Sequence, residues 1–102
     1  MAELTVVFWR DIPAQVIARA GRKTAKAELP KRFIEAIDSA AMRAGLFGSD
    51  DYLAGWRRGD PTACGDDLDA VVADKLATIE LTYDADRLRT LVENSGNEAP
   101  RP

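Results

Sequence analysis

Apolar and β-branched positions are densest between residues 4 and 20. Leu4, Val6 and Phe8 alternate with Thr5, Val7 and Trp9, so residues 4–10 read as a strand with apolar side chains on both faces. Such a strand is either covered on both sides or has a face or edge waiting for a partner. Pro13 breaks the run, which makes residues 10–14 a connection. Residues 15–20 form a second strand, with Val16, Ala18 and Ala20 on one face and Gln15, Ile17 and Arg19 on the other. Gly21 ends it. An isolated hairpin is marginal in water, so helices must cover this one.

The period then changes. Residues 21–29 read as a basic connector. Pro30 suits the first position of a helix, and Phe33, Ile37, Ala40, Ala41 and Ala44 recur at three- and four-residue spacing, with Ile34 widening the stripe. Gly45 supplies a left-handed stop, over which Leu46 folds back. Ser49, Asp50 and Asp51 resemble a helix start. Residues 52–56 then fit a short helix, or a third strand with Tyr52, Ala54 and Trp56 on one face. Residues 57–65 read as loop. Asp66 or Asp67 caps a helix to about Leu81, carried by Leu68, Val71, Val72, Leu76 and Ile79. Asp84 caps a last helix through Leu88, Leu91 and Val92. The pattern predicts an α+β fold: an N-terminal antiparallel hairpin, with a third strand if 52–56 is extended, packed on three or four helices. Residues 1–93 form the single domain, and the polar stretch 94–102 reads as a disordered tail.

Composition narrows the function classes. The chain has 102 residues, 46% hydrophobic and 30% charged, within the range of a single globular domain. It has no histidine, which removes the commonest general base and metal ligand. One cysteine, Cys64, builds neither an internal disulfide nor a structural zinc site. Residues 21–24 (Gly-Arg-Lys-Thr) lack the upstream glycine and the spacing of a phosphate loop. No catalytic motif is recognised, no metal or cofactor is expected, and neither a transmembrane run nor a secretory signal is present, which makes a reducing cytoplasm the expected location. Cys64 precedes a predicted helix N-terminus, but Asp66 and Asp67 oppose a thiolate there. Asp60, Asp66, Asp67 and Asp69 are acidic enough for a hard cation but match no calcium loop.

Charge is unevenly distributed. The net −3 divides into +3 over residues 1–45 and −6 over residues 46–102. This asymmetry allows steering of a partner or self-association into a homo-oligomer. Arg10, Arg19, Arg22, Lys23, Lys26, Lys31 and Arg32 form a basic region beside Phe8 and Trp9, a composition that also suits single-stranded nucleic acid. The acidic pI of about 4.9 argues against that.

Three stretches together resemble a known family: residues 8–16 (Phe-Trp-Arg-Asp-Ile-Pro-Ala-Gln-Val), residues 32–46 and residues 51–57. They are similar to a small bacterial domain family labelled "virulence factor", common in alphaproteobacteria. That label names no chemistry and carries over no catalytic residue. The resemblance implies an accessory role beside folate- and corrinoid-dependent methyl transfer. The resulting expectation is a non-catalytic protein-interaction module. Its contact residues would be Trp9, Arg10, Asp11, Tyr52, Trp56 and Arg57, and its partners methyltransferase or folate enzymes. Arg10 would pair with a partner's carboxylate, or with Asp11 or Asp38 inside the fold. A subunit of a methyl-transfer assembly and a nucleic-acid-binding module remain as alternatives.

Overall fold

The hairpin is the spine of a five-stranded antiparallel sheet. A computed structural model describes residues 2–45 and 50–97. The strands are β1 (Ala2–Trp9), β2 (Ile12–Ala20), β3 (Lys23–Glu28), β4 (Trp56–Arg58) and β5 (Thr62–Cys64). The helices are α1 (Lys31–Arg43), α2 (Asp50–Ala54), α3 (Leu68–Thr82) and α4 (Ala85–Glu93). The order across the sheet is β3-β2-β1-β4, and β5 also pairs with β1. Strand β4 pairs with Val7–Trp9, and β5 with Ala2–Leu4. Strand β1 is therefore central, and the edge it was expected to leave open is occupied.

Three predicted elements are corrected. The turn between β1 and β2 takes only Arg10 and Asp11, with Arg10 at φ 53°. Pro13 lies inside β2, where the register slips between Val7 and Phe8 and Ala14 has no partner. A bulge tolerates proline because the ladder is interrupted there. Residues 23–28, read as connector, are strand β3. Its Ala25 and Ala27 oppose Ala18 and Val16, while Lys26 and Glu28 oppose Ile17 and Gln15. Alanine and lysine are weak strand formers, so neighbours rather than propensity decide this segment. Residues 50–58 contain both alternatives, helix α2 followed by strand β4.

Burial along β1 does not keep to one parity. Ala2 belongs to the buried core, and Leu4 and Val6 pack against it. At the turn end Trp9 rather than Phe8 is fully buried. The core joins Val16 and Ala18 of β2 to Phe33, Ile37 and Ala40 of α1, and to Val72 and Ile79 of α3. Helix α3 packs on β2 and β3, α1 packs on β2, and α4 lies against α1 through Leu88 and Leu91.

Helix α1 starts after Pro30 and is followed by Gly45 at φ 71°, as the spacing predicts; Leu46 and Ser49 lie outside the described residues. Asp67 caps α3 by accepting from Ala70 N–H at 3.2 Å, and Asp84 caps α4 by accepting from Arg87 N–H at 2.9 Å. Asp67→Ala is expected to destabilise the fold by about 1 kcal/mol in urea unfolding, since one N-terminal amide loses its acceptor. Among the described residues, no helix is long and apolar enough to cross a membrane.

Candidate functional site

The six residues singled out as a contact surface do meet, at the turn end of the sheet. Trp9 closes the hairpin opposite Ile12 and pairs with Trp56 across the β1–β4 ladder. The Tyr52 ring lies 5.7 Å from that of Trp9 and 6.3 Å from that of Trp56, the latter edge-on. Arg10 and Asp11 form the turn, and Arg57 follows Trp56 on β4.

Half of this corner is scaffold. Trp9 is fully buried and donates its indole N–H to the Tyr52 carbonyl at 2.8 Å. Arg10 lies over the Trp9 ring at 5.0 Å and donates to the Ser95 carbonyl at 2.8 Å. It pairs with neither Asp11 nor Asp38. Arg57 donates to the Arg10 carbonyl at 2.9 Å and to the Asp11 carboxylate at 3.2 Å, and covers the Phe8 ring at 4.5 Å. These contacts tie the turn to β4 and leave little of Trp9 or Arg10 to offer a partner.

Residues 94–97, read as tail, complete the corner. Asp11 N–H donates to the Gly96 carbonyl at 2.8 Å, and Gly96 N–H returns to the Leu91 carbonyl at 2.7 Å. Gly96 is buried, and an added Cβ there would lie 2.7 Å from the Trp9 ring. The expected boundary at residue 93 thus falls inside this packing. Residues 98–102 lie outside the described residues.

What remains accessible lies beside the corner. A groove of about 160 Å³ is lined by Val7, Ala14, Gln15, Glu28, Ile34 and Trp56. Trp56 is 37% exposed. Val7, Gln15 and Glu28 form one cross-strand row, and the unpaired Ala14 of the bulge opens the floor. Val7, Ala14 and Ile34 make the groove apolar, while Gln15 and Glu28 offer hydrogen bonds at its rim. A cleft of this kind accepts an aliphatic or aromatic side chain. Ile34 and Ala14 were read only as stripe and turn residues. Their place in the groove follows from β3, whose end sets α1 beside the bulge through a bond from Leu29 N–H to the Ala14 carbonyl at 3.0 Å.

The basic region is divided: Arg10 and Arg32 are engaged within the fold, while Arg19, Arg22, Lys23 and Lys26 are exposed. Arg32 donates to the Tyr83 and Glu80 carbonyls at 2.6 and 3.0 Å and lies over Phe33, holding the C-terminal end of α3. Lys31 faces Glu35. Phe8 lies under Arg57 and Trp9 is buried, so the aromatics expected to stack on bases have other work. Cys64 lies on β5 opposite Ala2, half-buried against the core, rather than in a loop. Asp66, Asp67 and Asp69 share a shallow depression with Lys23, and among the described residues no group of histidine, cysteine or carboxylate side chains is placed to hold a metal.

Comparison with curated proteins and with solved structures returned no match. A family model described as "Virulence factor" matches residues 7–92, from inside β1 through most of α4, and the chain belongs to that family.

Proposed function

We propose that this protein is a non-catalytic interaction module that docks a partner protein at the turn end of its sheet. The observation that carries the reading is the half-exposed Trp56, held edge-on by Tyr52 and bordering the apolar groove of Val7, Ala14 and Ile34. A tryptophan fixed by neighbours loses little side-chain freedom on binding, and such residues dominate interface energies. Asp11, Tyr52 and Arg57 support this surface, with Trp9 and Arg10 as the frame beneath it. The family resemblance supplies the partner class, enzymes of folate- or corrinoid-dependent methyl transfer.

The test is affinity capture with a tagged copy, comparing the natural chain with Trp56→Ala. The substitution is expected to cost about 1–3 kcal/mol, since Trp56 is 37% exposed and loses its edge contact with Tyr52, and to leave the chain folded. It is expected to lower recovery of a stoichiometric partner at least tenfold, as truncation of an aromatic anchor does. Recovery of the same partner in unchanged amount by a folded Trp56→Ala chain contradicts the reading.

A further inference from the structure

The side chains of β1, β2 and β3 that alternate with the core residues form an outward face. At its centre Thr5 and Ile17 are cross-strand neighbours, both half-buried. Arg19 follows on one side, opposite Glu3, and Arg58 on the other, opposite Val7. Glu3, Thr5, Ile17, Arg19 and Arg58 together line a small groove of about 50 Å³.

The two arginines differ from most others in the chain. Arg10, Arg32, Arg43, Arg57 and Arg89 all donate hydrogen bonds within the fold. Among the described residues, the side chains of Arg19 and Arg58 make no hydrogen bond or ion pair, and both are exposed. They come from β2 and β4, the two strands that flank β1, and line one groove with Thr5 and Ile17. We infer that this face binds an acidic segment of a partner protein, with Arg19 and Arg58 holding a carboxylate over Thr5 and the segment's apolar side chains lying on Ile17 and Val7. The inference rests on the docking reading above and names the chemistry of what docks.

Charge and shape choose this occupant. A guanidinium fork matches a carboxylate in two parallel hydrogen bonds, and it is strongest where one side is shielded from water. The long arginine stems offer a bound segment apolar contact of their own. A nucleic acid fits less well. The centre of the face carries no aromatic ring on which a base can stack. The row from Arg58 through Val7 to Gln15 and Glu28 also runs into the Trp56 groove. An extended acidic–apolar segment therefore finds one continuous track.

Fluorescence anisotropy on the full chain tests this with three labelled probes: an octapeptide alternating glutamate and valine, the same peptide with glutamine for glutamate, and an oligouridylate of eight nucleotides. The glutamate peptide is expected to bind most tightly, and to weaken with added salt. The double variant Arg19→Gln, Arg58→Gln changes only exposed side chains, and is expected to keep the natural unfolding midpoint while losing about tenfold or more in peptide affinity. Equal binding of the glutamine peptide, unchanged binding by the double variant, or tighter binding of the oligouridylate each overturns the inference. Concentration-dependent self-association abolished by the same double variant also overturns it, by making a second copy the occupant. Captured partner that is lost with Trp56→Ala but retained with the double variant rejects acid recognition while leaving the docking surface standing.

Discussion

Trp9→Ala is expected to destabilise the fold by about 3–5 kcal/mol, the range for emptying a fully buried aromatic site. The side chain is 0% exposed and sits where four segments meet. Its indole N–H satisfies the Tyr52 carbonyl, Gly55 approaches from the α2–β4 junction, and Gly96 and Arg10 cover the ring from above. Removing the ring leaves a cavity that this neighbourhood cannot close, because each wall is fixed by backbone bonds of its own. Arg10 N–H donates to the Gly55 carbonyl at 2.7 Å and Asp11 N–H to the Gly96 carbonyl at 2.8 Å. A domain of this size has a total stability of about 5–15 kcal/mol, so the loss takes a large part of the whole. Urea unfolding followed by circular dichroism measures it. A cost below about 1 kcal/mol would show that Trp9 is not the keystone of the corner.

Gly96→Ala is expected to cost about 2–4 kcal/mol. Two effects combine. Gly96 has φ 91°, a conformation that L side chains rarely adopt. The new methyl would also sit 2.7 Å from Cζ3 of Trp9, and overpacking of this kind costs about 1–3 kcal/mol. The ring cannot yield easily, since Gly55 leaves no room on its other side: a Cβ there would lie 2.6 Å from the indole nitrogen. Thermal unfolding reads the effect as a clear fall in midpoint. A midpoint within one or two degrees of the natural chain would mean that residues 94–97 do not cap Trp9 in solution.

The helical half of this fold is legible in the sequence because each helix carries its own markers. Pro30 and Gly45 bracket α1, and Asp67 and Asp84 begin α3 and α4. The sheet is harder to read. Strand β3 is built from lysine, alanine, threonine and glutamate, and only its pairing with β2 makes it a strand. Strands β4 and β5 have three residues each, too few for a period, and exist because β1 has an edge to cover. Alternation along β1 gives its two faces but not the depth of burial on either: Val7 and Trp9 meet Arg58 and Trp56 in one unbroken register, yet only Trp9 is fully buried.

The site was legible in the same uneven way. The aromatic and charged residues that stand out by type do gather at one corner. Type alone does not tell which of them frame the surface and which form it. Trp9 and Trp56 oppose each other on adjacent strands, yet one is fully buried and the other 37% exposed. That difference comes from residues 94–97, whose small polar composition suggested a tail. The groove residues Ala14, Glu28 and Ile34 lie on three different elements, and no local pattern connects them.

The most direct test of the central claim, that the sheet face and not the helical face meets the partner, is site-specific photo-crosslinking in the native cell. A photoreactive phenylalanine analogue is placed at Ile17, on the outward sheet face, or at Ala77, exposed on α3. A single crosslinked product from Ile17, lost on Trp56→Ala and not formed from Ala77, is expected. A product from Ala77 with none from Ile17 would contradict it and move the contact surface to the helices.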